Sequence, residues 1–408
     1  MTKSVKRHLT RFFSVIFSIS LLSTYGCQKG QIDPNDYPIP IQDETKINDT
    51  VTEPVVTDTS SLFKDALVPE PNSLKENGKY TFNAAVIPDA YLKQYKEKPQ
   101  VIMIAKELLR AIDNVDEEFE LDYDEEDGVS SEDIDNAFMV AYFSNPMMSV
   151  VDYVPLDDNT YQFKYFPAYY FTEGSSLIEN GSISFESRDE MTTDEASKYL
   201  EDFKSYVTDV INKNCTADDT QIQMAEKIYK ALIEDFEVEF PDYEGFLDPS
   251  TLKEDEAAYM AGEVVRSVYD RKFTSARQFI AFYSFILQQL HIEALEISGY
   301  NGVFSQEAKE MVPKDSAEYM YWDWHILCLD GQYYHCDIVL EKLAYDKRYE
   351  GVSGAEADTT YFGMSDKKRC ESFKFSKSSL YVGNDPSFTG MNGSGGYDVP
   401  ECTEDYDF

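Results

Sequence analysis

Two histidines and an aspartate flank a two-residue turn, and their types and spacing suit them to acid–base chemistry. His325 precedes the turn Asp330-Gly331, and His335 and Asp337 follow it. A histidine oriented by a carboxylate can take the proton of a cysteine or serine, which then attacks an acyl carbon. The pattern therefore makes acyl transfer the first chemistry to test.

The Asp-Gly pair between apolar runs predicts a β-hairpin with a two-residue turn. Counted outward from this turn, His325 lies opposite Cys336, and Trp324 lies opposite Asp337. Side chains alternate between the two faces along a strand. One face of the hairpin therefore carries Trp322, Trp324, His335 and Asp337. His325 lies on the other face. It could act as a base on the face of His335 and Asp337 only after a register slip that inverts every side chain.

The nucleophile would come from the helix that follows residue 275. Ser275 and Gln278 match a capping box, which makes Ala276 the first helical residue. A cysteine at that position would be activated by the helix dipole and the free amide groups. Alanine has no nucleophilic atom, and the Ser275 hydroxyl is better explained as the helix cap.

Between about Thr220 and about Asp366 the chain resembles a bacterial transglutaminase-like domain, a member of the papain-like thiol fold. The resemblance is carried by three blocks: TSARQFIAFYSFILQQLHIEALEISGY, WDWHILCLDGQYYHCD and YFGMSD. It places the family's nucleophilic cysteine at Ala276, its histidine at Trp322 and its aspartate at Asp337. Only the aspartate is retained, so the resemblance implies a vestigial triad and a pseudoenzyme rather than an active enzyme.

Relatives with an intact triad process peptides or proteins, so the resemblance implies a peptide or protein partner and no cofactor. An active amide-bond hydrolase or transferase with a non-standard site remains an alternative. So does a carbohydrate-binding lipoprotein with a glycan as its partner. Four residues are candidates for lining a binding cleft: Trp324, His335, Tyr300 and Ser275. The two tryptophans either bind a ligand by stacking or fill the space left by the lost triad.

Composition excludes other classes. With 36 basic and 76 acidic residues the formal net charge is −40, which disfavours nucleic-acid binding. The basic run 367–369 is interpreted as a solvated patch. No metal site is predicted, because no cysteine pair has Cys-x-x-Cys spacing and Gly128 is one position too late for an EF-hand starting at Asp122.

The N-terminus has the pattern of an export signal that ends at Gly26-Cys27. A basic front is followed by an apolar run too short to span a bilayer. It resembles the signal of a bacterial lipoprotein, which implies lipid attachment at Cys27 and an exported protein anchored to the membrane at the cell envelope. An ordinary secretory signal is the alternative.

The predicted fold class is α+β, with a long helix packed on an antiparallel sheet as in papain-like domains, preceded by a small α+β domain. The predicted division is a lipoprotein signal over 1–27, a Pro/Asp/Thr-rich tether over 28–78, an N-terminal α+β domain over 79–215, a transglutaminase-like domain over 216–384, and a flexible acidic tail over 385–408.

Overall fold

The structure is a computed structural model. The residues that it describes are 63–123, 127–157, 159–166, 190–238, 264–273, 276–300, 304–305, 310–311, 321–372, 380–382 and 399–407. In chain order their α-helices are α1 (Ser73–Asn77), α2 (Asp89–Gln94), α3 (Pro99–Asp113), α4 (Ser131–Ser144), α5 (Thr193–Asn214), α6 (Gln221–Asp235), α7 (Val264–Asp270), α8 (Ala276–Gln289), α9 (Ile338–Arg348) and α10 (Asp366–Ser372). Two 3₁₀ segments cover Lys64–Leu67 and Pro146–Val150.

The strands among the described residues form four small sheets. Their bounds are β1 (Glu118–Glu120), β2 (Val151–Pro155), β3 (Thr160–Tyr165), β4 (Glu237–Val238), β5 (Lys272–Phe273), β6 (Glu293–Tyr300), β7 (Phe304–Ser305), β8 (Glu310–Met311), β9 (Tyr321–Leu329), β10 (Gln332–Cys336) and β11 (Leu380–Val382). The main sheet has the order β10-β9-β6-β11, and a smaller one has the order β1-β3-β2, both antiparallel throughout. Two-stranded β4-β5 is parallel, and β7-β8 is antiparallel. The fold class is α+β, as predicted.

The hairpin of β9 and β10 has the predicted register. His325 pairs with Cys336, and the ladder closes at Leu329 and Gln332. Asp330 and Gly331 both have positive φ, 51° and 85°, as a turn that matches the right-handed twist of the strands requires. The register therefore places the side chains of His325 and His335 on opposite faces of the sheet.

Helix α8 begins at Ala276, as predicted, and packs against β6 and β9. Its residues between 279 and 287 are buried almost all round, which is typical of a helix in the middle of a core. The helix ends in a Schellman motif at His291, whose φ is 58°. There the His291 amide donates to the Gln288 carbonyl and the Ile292 amide to the Leu287 carbonyl, both at 2.9 Å. His291 therefore forms part of the C-terminal cap of α8.

The C-terminal end of α8 is tied to elements that precede residue 215. The hydroxyl of Tyr80 donates to Gln289 Oε1 at 2.6 Å. Gln288 Nε2 donates to the carbonyls of Val86 and Ser144 at 2.6 and 2.9 Å. These contacts hold α8 from the end opposite to Ala276. The division into domains at residue 215 stays a prediction.

Helices α5 and α6 both start at residues that sequence patterns mark as caps. Thr192 and Glu195 form a capping box on α5, and Thr220 and Gln223 form one on α6. Within the described part of the chain, no helix combines the length and apolar character needed to cross a membrane.

Candidate functional site

Ala276 stands at the start of α8 and is partly buried against the core. Its methyl group offers no atom for acyl transfer. Ser275 lies outside the described residues, and so does its predicted role as the cap. The nucleophile position that the resemblance assigns is therefore occupied by an inert side chain at the end of a well-packed helix.

Trp324 and His335 meet on the face of the hairpin that lies opposite His325. The indole Nε1 donates a hydrogen bond to His335 Nδ1 at 2.9 Å. Both side chains are fully buried. The shared face predicted for these two residues is thus realised as a direct contact between them, with neither ring surface open to solvent.

The indole fixes the tautomer of His335. Trp is only a hydrogen-bond donor, so Nδ1 must present its lone pair and the proton of the neutral ring must reside on Nε2. Nε2 lies 2.9 Å from Asp366 Oδ1 and donates to it. A ring held this way has no free basic nitrogen, and it can accept a second proton only by breaking the bond to Trp324.

Asp337 is held by a buried cation. Arg369 NH2 lies 2.8 Å from Asp337 Oδ2, and both side chains are fully buried. Asp337 Oδ1 also accepts the Leu340 amide at 2.9 Å, which caps α9. Burial lowers the pKa of Arg369, and the Asp337 carboxylate opposes that shift. The carboxylate that would orient a catalytic histidine thus serves as a counter-ion and a helix cap.

Arg369 also covers the indole, with its guanidinium carbon 4.9 Å from the Trp324 ring centroid. The interpretation of the run 367–369 as a solvated patch is wrong for this residue. The run lies in the helix α10, whose turn directs Arg369 inward while Lys367 stays exposed. Any ligand stacked on that side of Trp324 would have to displace Arg369.

Cys402 completes a cluster with His335 and Asp366. A ring nitrogen of His335, a carboxylate oxygen of Asp366 and the sulfur of Cys402 all lie within 4.8 Å of one another. This donor set suits a zinc ion. A metal-bound histidine, however, leaves its other ring nitrogen protonated to donate to an acceptor, whereas Nδ1 of His335 receives the indole proton. The arrangement therefore fits a hydrogen-bonded cluster better than a metal centre.

His325 lies on the other face, against α8. Its Nε2 is 2.9 Å from Ser284 Oγ and 3.1 Å from the Ile280 carbonyl. A carbonyl only accepts, so Nε2 carries the proton. Ser284 in turn hydrogen-bonds to Glu296, the cross-strand neighbour of His325. In a catalytic pair the serine hydroxyl donates to an unprotonated nitrogen of the histidine. Here the histidine nitrogen carries the proton, so the pair cannot act as a nucleophile and its base.

Burial gives His325 a measurable pH signature. It lowers the pKa of His325 to about 3, and it raises the pKa of neighbouring Glu296. A histidine kept neutral in the fold contributes stability that is complete above its unfolded pKa of 6.5 and is lost as pH falls toward 3. From pH 7 to pH 5 we expect a loss of about 2 kcal/mol in the free energy of unfolding from this residue.

His325→Asn tests that expectation, since asparagine does not titrate. Urea unfolding of both proteins at several pH values between 5 and 7 gives the two slopes. The wild type should lose stability more steeply than the variant, whatever the absolute difference between them. Parallel slopes would mean that His325 is protonated to the same extent in the folded and unfolded chains.

Other predicted site residues fall where no side-chain statement can be made. The backbones of Tyr300 and Trp322 lie in β6 and β9, where Trp322 pairs with Gly299, but their side chains lie outside the described residues, as does all of Cys27. Away from the hairpin, a surface cavity of about 360 Å³ is lined in part by Phe82 and Lys204.

Asp366, Arg369 and Cys402 are partners that the sequence reasoning did not single out. Asp366 ends the block YFGMSD, so its position was marked but its role was not. Nothing in the local sequence of Arg369 or Cys402 distinguishes them from solvated residues. Both are buried through contacts with residues more than thirty positions away.

Comparison with known proteins adds no relative: no family model matches the chain, and no curated protein matches it significantly. The resemblance rests on the three sequence blocks alone.

Proposed function

We propose that this chain is a non-catalytic binding or scaffolding protein of the cell envelope, built on a degenerate transglutaminase-like core. The helix α8 packed on the antiparallel β6-β9-β10 layer supports such a core. The signal-like N-terminus supports export and anchoring through Cys27. A peptide or protein partner is the first choice, because intact members of the family that the chain resembles process peptides or proteins.

The observation that carries the proposal is the state of His335. Its two ring nitrogens are engaged by Trp324 and Asp366, and its side chain is sealed from solvent. With alanine at position 276, the site lacks a nucleophile at the helix start and a base on the hairpin. Full burial of Trp324 gives no support to a glycan stacked on that ring.

One observation favours an enzyme as the second candidate. Cys402, His335 and Asp366 have the composition of a thiol triad and lie within 4.8 Å of one another. The direction of the hydrogen bonds opposes it, since Nε2 of His335 already donates to Asp366 and cannot take the thiol proton. Cys402 is also only 1% exposed, so a substrate could not reach it without local opening.

Turnover assays separate the two candidates. We expect the purified chain to show no hydrolysis of fluorogenic peptide amides and no amine incorporation into a glutamine-containing protein, above a protein-free blank. Ala276→Cys should remain inactive, because a restored thiol still has no base. Turnover that disappears in Cys402→Ser, in a variant with an unchanged melting temperature, would establish the enzyme and defeat the proposal.

A further inference from the structure

Residues 399–407, here called the C-terminal segment, pack along residues 363–366, here called the edge segment. The Asp366 amide donates to the Cys402 carbonyl at 2.7 Å, and the Tyr406 amide donates to the Gly363 carbonyl at 2.8 Å. The pairing runs antiparallel. For this part of the predicted flexible tail, the structure shows a segment that is docked through backbone hydrogen bonds.

The edge segment is itself attached to the main sheet. Met364 and His335 exchange two backbone hydrogen bonds, 2.8 and 3.0 Å long, on the side away from the C-terminal segment. The C-terminal segment is thus hydrogen-bonded to a segment that is itself bridged to β10. Addition of an extended peptide to a sheet edge is a common recognition mode, in which backbone bonds supply affinity and side-chain pockets supply specificity.

Three side chains of the C-terminal segment fit the surface beneath them. Cys402 is buried beside His335 and Asp366. Asp405 Oδ1 accepts the Ser365 amide at 2.8 Å. The ring of Tyr406 packs edge-on against Tyr334, with centroids 6.1 Å apart. A small residue, an aspartate three positions later and an aromatic residue next to it therefore form the pattern that this surface accepts.

Charge complementarity points to an acidic peptide. The hydrogen bonds from Ser365, with the positive charges of Lys368 and Lys367, hold the pKa of Asp405 below its usual range. These lysines are two of only 36 basic residues in a chain with 76 acidic ones. Acidic residues outnumber basic ones in this chain, and these two lysines lie close enough to Asp405 to lower the pKa of its carboxyl group.

We propose that the edge segment, with Lys367 and Lys368, is the docking site for an extended acidic peptide of a protein partner. The C-terminal segment occupies that site until the partner displaces it. This inference rests on the proposed function and names its ligand class. Because the C-terminal segment is linked to its site, its effective concentration is high, and a free peptide binds the intact chain more weakly than it binds a chain with a weakened segment.

A labelled peptide tests the exchange. Fluorescein-VPECTEDYDF, the sequence of residues 399–408, is titrated under reducing conditions with the full chain and with the full-length variant Asp405→Ala/Tyr406→Ala, using fluorescence anisotropy. We expect the variant to bind the peptide at least tenfold more tightly than the wild type does. A peptide with the aspartate of Asp405 changed to asparagine should bind the variant at least fivefold more weakly.

Charge reversal locates the site. Lys367→Glu/Lys368→Glu, added to the weakened chain, should reduce peptide affinity at least tenfold. Lys93→Glu/Lys96→Glu makes the same change in charge at two exposed positions, one in α2 and one just after it, and should leave affinity within twofold. Melting temperatures check that each variant is folded.

Hydrogen–deuterium exchange on the unaltered protein gives a second test that needs no variant. Excess unlabelled peptide should speed exchange at the Cys402 and Tyr406 amides, while the His335 amide stays protected.

The inference is overturned if the peptide binds none of the proteins, or if both charge reversals weaken it equally. Slow exchange at Cys402 and Tyr406 that the peptide does not change would also overturn it. Light scattering measures whether the chain dimerises. A dimer that dissociates in the variant Asp405→Ala/Tyr406→Ala would assign the site to a second copy of the chain instead. The turnover assays do not depend on the peptide titration. A negative result in the titration would therefore overturn this inference without overturning the proposed function.

Discussion

Asp337→Ala should lower the free energy of unfolding by about 3–5 kcal/mol, the range found when one partner of a buried ion pair is removed. The substitution leaves the guanidinium of Arg369 without the carboxylate that lies 2.8 Å away, in a site sealed from water. It also removes the acceptor for the Leu340 amide at the start of α9. Urea unfolding followed by circular dichroism measures the loss.

Two controls show that burial causes the effect. Asp202→Ala removes an ion pair with Lys198 on the surface of α5 and should change stability far less, because solvent screens an exposed pair. Asp337→Leu/Arg369→Met removes both charges and should be more stable than Asp337→Ala, because no lone charge remains. If Asp337→Ala costs no more than Asp202→Ala, the Asp337 site is hydrated and the role assigned to this pair is wrong.

Trp324→Ala should cost about 3–5 kcal/mol of stability, as do other truncations of large buried aromatic residues. The indole is fully buried, lies beneath Arg369 and donates to His335. Its removal opens a cavity and leaves both partners without their contact. Chemical unfolding measures the loss, and Trp324→Phe separates the loss of packing from the loss of the hydrogen bond. The phenylalanine variant should cost about 1–3 kcal/mol, since it mainly leaves Nδ1 without a donor.

The wild type and Trp324→Phe together test whether the indole fixes the tautomer of His335. In the wild type, nitrogen NMR of the imidazole should show a proton on Nε2 and none on Nδ1 throughout the pH range in which the protein is folded. In Trp324→Phe, Nδ1 is open, so a doubly protonated ring should form beside Asp366 as the pH is lowered. A wild-type ring that gains a second proton as readily as the variant would remove the main support for the non-catalytic proposal.

Local patterns predicted the parts of the site whose partners are close in sequence. The Asp-Gly turn fixed the register of β9 and β10, because a two-residue turn leaves one way to pair the strands. That register alone separates His325 from His335. The start of α8 at Ala276 followed from cap and helix patterns. That the nucleophile and base positions are vacant is what the resemblance implies, and it stays a prediction.

The amino-acid sequence by itself determined the register of the hairpin and the alanine at the start of α8, because the turn and helix-start patterns that set them are local. Only the tertiary structure decided what the remaining polar groups do. Asp366, Arg369 and Cys402 contact the hairpin from far along the chain: the separation in sequence from His335 is 31 for Asp366 and 402 − 335 = 67 for Cys402. Burial of a charge or a thiol depends on which distant segment covers it, and no local periodicity encodes that choice.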